Sequence, residues 1–436
     1  MDLAQQQRLD DTYIMHTFGR LPVMFNRGAG MRLYDDTGRE YLDFLAGIGV
    51  CCLGHGHPVL VEAIERQAER LLHVSNYYHI AHRAEVAALL SKLAMGDMAG
   101  ADALARALRA GDAHAIEEAA RAEEGEQVWQ TFFANSGAEA NECSLKLARL
   151  YARRKGNGGD TVVCLRGGFH GRTLETLAAT MQDRLQDPFR PLPGGFIACT
   201  PNDLDELGAI FDANGSKICA VLIEPIQGES GVHPLTEEFV RKAAELVHGV
   251  GGVLISDEVQ AGIFRCGAPF AIQTLGIEAD IMSLAKGLAG GVPVGACVAR
   301  REVAEAFQPG DHGSTFGGSD LAMAAAEAVL CELVLGAYGE RAVEVGSYLM
   351  QRLRAIPDVT EVRGRGLMIG CDLAPEAGDA HDVVAALLDD GFVVNATGAR
   401  TLRFLPPLIC ATGDVDLLVG AVAHRVDFRS QPNTLS

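Results

Sequence analysis

A lysine and an aspartate end two successive apolar runs of the sequence. Asp257 closes one run, Gln260 follows three residues later, and Lys286 closes the next run. Burial lowers the pKa of a lysine and makes its amine nucleophilic toward carbonyls, so such a lysine can hold an aldehyde cofactor. A nearby carboxylate would keep a pyridinium nitrogen protonated, and pyridoxal phosphate carries both an aldehyde and that nitrogen. Alternatively, Asp257 and Lys286 form a structural ion pair, or Lys286 caps a helix.

The segment "FFANSGAEANECSLK" at 132–146 offers a place for a phosphate. It is typical of a strand, a tight turn and a helix start, so the backbone N–H groups after Ser136 lie at the positive end of a helix dipole. Ser136 and Glu139 also fit a capping box, which needs no ligand. Both interpretations stay open on this segment alone.

Two other predicted strand ends and one late apolar run carry charged residues. In "LRGGFHGRT", Phe169 could stack on an aromatic ring and Arg172 could bind a carboxylate through two parallel hydrogen bonds, or they could be an ordinary core residue and a surface charge. In "EPIQGESG", Glu224 and Glu229 could act in acid–base chemistry, pair with an arginine or be solvated in a loop. Arg403 needs a carboxylate partner, because an unpaired buried charge costs several kcal/mol.

The histidine pattern argues against a metal. His55 and His57 in "GHGHP" have a spacing found at some metal sites, but no second cluster with ligand spacing accompanies them. We therefore predict no metal site. The segment "GRGLMIG" misses the dinucleotide fingerprint and no P-loop pattern occurs, which removes the main support for nicotinamide chemistry or nucleotide hydrolysis.

The candidate residues follow short apolar runs that alternate with helical patterns. This alternation predicts an α/β fold with a parallel sheet flanked by helices, in which ligands bind outside the carboxyl ends of the strands. Residues 97–126, rich in alanine and charge, predict a surface helical hairpin or a loosely ordered insertion. After Gly318 a long alanine-rich helix and further strands predict a C-terminal domain. The runs are "QTFFANSG", "TVVCLRGG", "AVLIEP", "GGVLISDE" and "ADIMSLAKG".

Length and composition limit the function classes. The chain has 436 residues, which predicts one large and at least one smaller domain. A formal net charge of -20 argues against nucleic acid and anionic membrane surfaces as partners. The eleven cysteines include no CxxC pair, so no disulfide framework is expected. Because we find neither a signal-peptide pattern nor an apolar run long enough to cross a bilayer, we expect the chain in the cytoplasm.

In combination, these motifs resemble the class III, fold-type I pyridoxal-phosphate aminotransferases, and among them the acetylornithine aminotransferases. The resemblance implies a large domain at 76–318 with a mostly parallel seven-stranded sheet, interrupted by the 97–126 insertion. It also implies a smaller α+β domain formed by 319–436 with a contribution from 1–75. The matching segments run nearly end to end: "FGRLPV", "YLDFLAGIGV", "LGHGHP", "FFANSGAEANE", "GGFHGRTL", "EPIQGESGV", "DEVQAG", "LAKGLAGGVPVGA", "HGSTFGGSD", "VRGRGLMIG" and "NATGARTLRFLPPL".

The resemblance also implies how the cofactor is held. Lys286 would be the lysine that condenses with the cofactor and acts as general acid and base, and Asp257 would pair with the pyridinium nitrogen. Gln260 would bond the phenolic oxygen and Phe169 would stack on the ring. The remaining implied contacts are with the phosphate: Ser136, Gly137 and Ala138 from the same chain, and Thr315 from the partner subunit of a homodimer with shared active sites.

The resemblance further implies a pair of substrates, N-acetylornithine and 2-oxoglutarate or glutamate. Arg172 would bind the distant carboxylate of each, and Arg403 the carboxylate beside the reacting carbon of glutamate. Glu229 would shield Arg403 when no second carboxylate is present. Ile48 stands where ornithine aminotransferases usually have a tyrosine, and an apolar residue there favours an acylated substrate. The product would be used in arginine synthesis.

Other donors and other reaction classes stay open at this point. Succinyldiaminopimelate, free ornithine, succinylornithine and 4-aminobutyrate are alternative donors. A racemase or decarboxylase with the same cofactor, or a metal-dependent hydrolase, is an alternative of another class. The sequence also departs from the family pattern at Cys51, Ala261, Phe264 and Cys266, and we expect Cys51 and Phe264 near the substrate.

Overall fold

The computed structural model describes residues 1–122, 127–155 and 157–426. The helices are α1 (Leu3–Tyr13), α2 (Ala46–Gly49), α3 (Pro58–Ala68), α4 (Arg83–Ala94), α5 (Met98–Ala110), α6 (Ala113–Ala120), α7 (Gly137–Lys155), α8 (Leu174–Ala179), α9 (Asp183–Gln186), α10 (Leu204–Asn214), α11 (Glu237–Gly249), α12 (Arg301–Ala304), α13 (Asp320–Leu335), α14 (Tyr338–Arg354), α15 (Ala380–Asp389) and α16 (Thr412–Val426). The strands are β1 (Phe25–Ala29), β2 (Arg32–Asp35), β3 (Glu40–Asp43), β4 (Trp129–Ala134), β5 (Thr161–Leu165), β6 (Phe196–Cys199), β7 (Ile218–Ile223), β8 (Ile226–Gln227), β9 (His233–Pro234), β10 (Val253–Asp257), β11 (Ile281–Leu284), β12 (Gly295–Arg300), β13 (Val359–Arg365), β14 (Met368–Leu373), β15 (Phe392–Val393), β16 (Asn395–Ala396) and β17 (Thr401–Phe404).

A seven-stranded sheet organises the middle of the chain. Its order is β4-β12-β11-β10-β7-β5-β6, and only β12 runs antiparallel to its neighbours. All six residues of β7 and all five of β10 are buried, as expected where helices cover both faces. The predicted α/β class with a mostly parallel sheet is confirmed. Five strands lie at the predicted runs, whereas β6 and β12 were not singled out from the sequence.

Two smaller sheets involve both ends of the chain. The first has the order β1-β2-β3-β15, so a C-terminal strand completes a sheet that the N-terminal segment begins. The second, β13-β14-β17-β16, is antiparallel and carries Arg403 on β17. The middle of the sequence thus supplies the large sheet, and the two ends combine beside it.

The helical hairpin α5–α6 falls in the segment that the sequence marked as an insertion. Asp97 caps the start of α5, where its side chain accepts a hydrogen bond from the amide of Gly100, and Gly111 caps its end. Ala101, Leu104 and Ala105 are fully buried, and α5 packs against α4 and α13. One face of this segment is therefore part of the core rather than surface, and 123–126 lie outside the described residues.

Among residues 1–122, 127–155 and 157–426, no single helix has the length and apolar composition to cross a bilayer, and α13 and α14 meet those criteria only as a pair bent by 68°.

Candidate active site

The carboxyl ends of β4, β5, β10 and β11 surround a cavity of about 460 Å³. Parallel strands bring their carboxyl ends to one edge of a sheet, so residues distant in sequence meet there. The cavity brings together nine of the predicted site residues: Ser136, Gly137, Ala138, Phe169, Arg172, Glu229, Asp257, Gln260 and Lys286.

Lys286 lies in the cavity wall directly after β11. Its backbone has φ of +43°, a conformation that a non-glycine residue adopts only where the surrounding structure holds it. Burial lowers the pKa of the amine, while the negative charges of Glu229 and Asp257 oppose that shift. More of the amine is therefore neutral than for a lysine in water, as a nucleophile requires.

Asp257 ends β10 and is only 3% exposed. Its Oδ2 accepts hydrogen bonds from Nδ2 of Asn141 at 2.7 Å and from Nδ1 of His170 at 2.8 Å. Its Oδ1 accepts a bond from the amide of Val259 at 3.0 Å. Burial alone would lower the pKa of His170, but the hydrogen bond and charge of Asp257 outweigh burial and raise it. A fixed carboxylate thus lies in the cavity wall.

The start of α7 accommodates both interpretations of its sequence. The hydroxyl of Ser136 accepts a bond from the amide of Glu139 at 3.2 Å, and Oε2 of Glu139 accepts one from the amide of Asn135 at 2.7 Å. This capping does not use the amides of Gly137 and Ala138. Because these amides lie in the first turn, they have no acceptor within the helix and can bind an anion. A Cβ on Gly137 would lie 2.8 Å from Cγ1 of Val259, so the backbone approaches this wall closely.

Phe169 and Arg172 follow β5 on one side of the cavity. The guanidinium carbon of Arg172 lies 5.3 Å from the centre of the Phe169 ring, and Arg172 is exposed. The amide of Phe169 donates to Oε2 of Glu224 at 3.0 Å. Burial raises the pKa of Glu224 to about 7. The aromatic ring is therefore held through its backbone, while the arginine faces solvent at the cavity mouth.

Arg403 and Glu229 form an ion pair at the other side. Arg403 is 1% exposed, and its Nη1 lies 2.7 Å from Oε1 of Glu229. Gln260 joins both, since it donates to Glu229 at 3.0 Å and accepts from Arg403 at 3.2 Å. Burial would raise the pKa of Glu229, but Arg403 and Gln260 outweigh burial and lower it. The side chain of Glu229 nevertheless stays 30% exposed, so the acid is much less enclosed than the arginine.

Three predicted residues do not line this cavity: Arg403, which bonds to the lining residues Glu229 and Gln260, and also Ile48 and Thr315. Ile48 packs against the buried cluster that includes Ala261 and Met368, whereas Val50 lines the cavity. Thr315 lines a separate cavity with Asn76. Its contribution across a subunit interface stays a prediction.

The histidines and the departures from the family pattern have other surroundings. Nε2 of His55 is bonded to Oδ2 of Asp43 at 2.8 Å. In the three described ranges, no group of three or more His, Cys, Asp or Glu side chains could hold a metal ion. Phe264 and Cys266 are 4% and 3% exposed and do not line the cavity, contrary to the expectation that Phe264 lies near the substrate.

Sequence reasoning gave no role to several residues that complete the site. Asn141 is 1% exposed and lies one helical turn after Gly137, on the face of α7 that meets the sheet. The signal available in the sequence was an asparagine four residues after Gly137, on the side of the predicted helix that would face the sheet. The bond between His170 and Asp257 joins the ends of two strands and leaves no local pattern in the sequence.

Comparison with known proteins identifies the family. The model of the class-III aminotransferases matches residues 13–426. The chain is 41% identical to the acetylornithine aminotransferase of Methanocaldococcus jannaschii, covering 95% of this chain and 96% of the relative. It is 40% identical to the acetylornithine aminotransferase of Aquifex aeolicus, covering 94% and 99%.

Solved structures agree with that assignment. The ornithine aminotransferase of Toxoplasma gondii has a TM-score of 0.84 at 28% identity, covering 98% of this chain and 95% of that one. A further structure of that enzyme, with partial occupancy of pyridoxal phosphate at its active site, also has a TM-score of 0.84 at 28% identity, covering 97% and 94%. The N-acetylornithine aminotransferase of Stenotrophomonas maltophilia has a TM-score of 0.76 at 31% identity, covering 96% and 98%. The chain therefore belongs to the class-III aminotransferases and is a transaminase of the kind that depends on pyridoxal phosphate.

Proposed function

We propose that this enzyme transfers the δ-amino group of N-acetylornithine to 2-oxoglutarate, giving N-acetylglutamate semialdehyde and glutamate. The relatives at about 40% identity that carry the name acetylornithine aminotransferase support this proposal. The observation that carries it is the buried Arg403–Glu229 pair in the same cavity region as Lys286, because N-acetylornithine has no carboxylate beside its reacting carbon whereas 2-oxoglutarate has one.

The residues of the cavity fit pyridoxal phosphate. The free amides of Gly137 and Ala138 suit its phosphate, and the missing Cβ of Gly137 leaves the helix start close to the wall. Phe169 offers a ring face, Gln260 a donor for the phenolic oxygen, and Asp257 a carboxylate for the ring nitrogen. When bound, the cofactor supplies an aldehyde and a ring that withdraws electrons from the carbon beside the amine.

Lys286 and Asp257 would have different chemical roles. Lys286 would hold the aldehyde of the cofactor through its amine and would serve as the acid and base that moves a proton at the substrate carbon. Asp257 would keep the ring nitrogen protonated, since His170, Asn141 and the amide of Val259 hold its carboxylate in place. His170 thus acts through Asp257 as a positioning residue.

The two arginines orient the substrates. Arg172 binds the carboxylate of N-acetylornithine that is distant from the δ-amine, because it is exposed at the cavity mouth. Glu229 meanwhile pairs with Arg403. When 2-oxoglutarate or glutamate enters, its second carboxylate replaces Glu229 on Arg403 in two parallel hydrogen bonds. Succinyldiaminopimelate is a second donor; its reacting carbon bears a carboxylate, so it would pair with Arg403 as glutamate does.

Assembly and location belong to the same proposal. A homodimer with shared active sites would bring Thr315 of one subunit to the phosphate of the other. The exposed Tyr77 and Phe316, 95% and 62% exposed in the single chain, support an interface on that side. The cytoplasmic location stays a prediction.

The test is a comparison of amino donors. Purified protein with pyridoxal phosphate is mixed with 2-oxoglutarate and N-acetylornithine, ornithine, succinylornithine or 4-aminobutyrate, and glutamate formation is measured. We expect the largest kcat/KM with N-acetylornithine. Faster turnover of ornithine or 4-aminobutyrate would overturn the substrate assignment while leaving the transaminase assignment intact.

A further inference from the structure

Glu224 is a carboxyl group of the cavity wall to which no substrate or cofactor atom has been assigned. Three carboxyl groups line the cavity, and the other two are those of Asp257 and Glu229. Asp257 accepts three hydrogen bonds, and Glu229 is part of an ion pair. Glu224 is 6% exposed, and its Oε2 accepts one bond, from the amide of Phe169 at 3.0 Å. Among the described residues its other oxygen has no hydrogen-bond partner.

The surroundings of Glu224 favour its neutral form. A carboxylate that leaves water is costly unless its charge is paired, and in the part of the chain that the structure describes no cation forms an ion pair with Glu224. Burial raises the pKa of Glu224 to about 7, with the charge of His170 opposing the rise and those of Asp257 and Glu229 adding to it. Lys286 is the remaining charged group that interacts with Glu224. Below neutral pH, Glu224 is therefore mostly a carboxylic acid.

The backbone around Phe169 is held by side chains from other elements. On one side, the carbonyl of Gly168 accepts from Nε2 of a glutamine at 3.0 Å. On the other, the amide of His170 donates to the hydroxyl of Thr180 at 2.9 Å. Within the described ranges, the bond to Glu224 is the one hydrogen bond that the backbone of Phe169 makes. The position of the aromatic ring in the cavity wall therefore depends on Glu224 more than on any other side chain.

Glu224 also lies close to the pair formed by His170 and Asp257. A Cβ on Gly168 would lie 3.1 Å from Nε2 of His170 and 3.4 Å from Oε2 of Glu224, so both groups approach the same point of the backbone. Nδ1 of His170 is bonded to Oδ2 of Asp257 at 2.8 Å. An ionised Glu224 would place a second negative charge near this imidazole and would compete with Asp257 for its positive charge. A neutral carboxyl group holds Phe169 without that competition.

We propose that Glu224 is a positioning residue for Phe169 and performs this role as a neutral carboxylic acid. Its carbonyl oxygen accepts from the amide of Phe169 and fixes the ring against the face of the cofactor. The charge beside the ring nitrogen stays that of Asp257. This inference rests on the proposed binding of pyridoxal phosphate and does not depend on the amino donor. A wrong donor assignment would leave it intact, whereas a protein that binds no cofactor in any variant would refute the proposed cofactor itself.

Two substitutions of similar size test the hydrogen bond and the neutral form separately. Glu224→Gln keeps an oxygen acceptor but cannot ionise, and Glu224→Met fills the space without an acceptor. The dissociation constant of pyridoxal phosphate is measured by titration calorimetry for each full-length variant at pH 6, where Glu224 is mostly neutral. We expect Glu224→Gln to stay within about twofold of the wild type, and Glu224→Met to bind about tenfold more weakly, because it leaves a buried amide without an acceptor. A folded Glu224→Gln variant that binds as weakly as Glu224→Met would overturn the proposal.

A double-mutant cycle with Phe169→Leu tests whether Glu224 acts through the ring. In the Phe169→Leu background, Glu224→Met should weaken cofactor binding less than about twofold, because no ring is left to position. The induced circular dichroism of the bound cofactor should change alike in Glu224→Met and Phe169→Leu and stay as in the wild type in Glu224→Gln. Additive losses of affinity in the cycle would mean that Glu224 does not act through Phe169.

Inorganic phosphate serves as the control probe. It would bind the amides of Gly137 and Ala138, which Glu224 does not hold, so its dissociation constant should be the same in Glu224→Met and the wild type. A loss of phosphate binding in Glu224→Met would show that Glu224 supports the whole cavity rather than Phe169, and would overturn the proposal. If Glu224→Met does not fold, Glu224→Gln decides: wild-type affinity and circular dichroism support the proposal, and a loss of either contradicts it.

Discussion

The two charged ends of the cavity are built differently. At one end, Asp257 accepts three hydrogen bonds and is 3% exposed, so its charge is fixed. At the other, Arg403 is equally buried, but the side chain of its partner Glu229 is 30% exposed. The difference matches a reaction in which the charge beside the cofactor stays constant while only one of the two substrates brings a carboxylate to Arg403. Four changes test this contrast.

The largest effect is expected where the fixed charge is removed. Asp257→Asn takes away the carboxylate that would hold the ring nitrogen protonated, and kcat should fall on the order of 10²- to 10³-fold, as when a preorganised electrostatic partner is lost. Steady-state kinetics with saturating cofactor measure it. The matched control is Asp280→Asn, since Asp280 is also buried but accepts from the amide of Leu254 at the amino end of the sheet. Equal losses in the two variants would contradict a specific role for Asp257.

The next effect concerns the arginine of the exchangeable pair. Arg403→Lys keeps the charge but loses the paired geometry of a guanidinium, so kcat/KM for 2-oxoglutarate should fall roughly 10²-fold. For N-acetylornithine the loss should be smaller. Arg363→Lys is the control, because Arg363 pairs with Asp372 at 2.7 Å outside the cavity. A uniform loss for both substrates would argue that Arg403 acts only in folding.

Removing the carboxylate of Glu229 should have a smaller effect than Arg403→Lys, and it should favour 2-oxoglutarate instead of disfavouring it. In Glu229→Gln, Arg403 keeps its charge without a shield when N-acetylornithine is bound. The ratio of kcat/KM for 2-oxoglutarate to that for N-acetylornithine should rise about tenfold, a value below the full ion-pair energy because Glu229 is partly exposed. Single-turnover measurements of each half-reaction give the ratio. An unchanged ratio would mean that Glu229 does not exchange with substrate.

The smallest effect is a pH dependence of stability. Because Asp257 raises the pKa of His170 in the folded protein, this contribution is complete below the unfolded pKa near 6.5 and is lost as pH rises through the folded value. Its size is about 1.4 kcal/mol for each unit of difference between the two pKa values. Urea unfolding of the cofactor-free protein from pH 6 to 9 should therefore show a decline that His170→Gln lacks. A parallel decline in the variant would contradict the assignment.

Sequence patterns predicted Asp257 and Lys286 but not the residues that hold Asp257 in place. Asp257 and Lys286 end apolar strands, and that local signal holds because parallel strands deliver their ends to one edge. Asn141 and His170, which hold Asp257, come from other elements, and contacts between distant segments leave no periodic signal. The antiparallel strand β12 was missed because its small residues, "GACVAR", lack the β-branched run of its neighbours.

The position of one candidate could not be read from spacing. Ile48 has φ of +67° within the left-handed turn, which directs the chain away from the cavity until Val50. A β-branched residue rarely adopts that conformation, so no sequence rule would have predicted the turn. The buried face of α5 was likewise hidden, because alanine suits both a surface helix and a tightly packed one.

The amine of Lys286 is tested most directly by reduction with borohydride. The holoprotein is treated with the reagent, digested and analysed by mass spectrometry, with Lys286→Ala and the exposed-lysine variant Lys217→Ala in parallel. We predict a cofactor-derived mass on the peptide that contains Lys286, retained in Lys217→Ala and absent from Lys286→Ala. A label on any other lysine, or no label on a protein that binds the cofactor, would contradict the account.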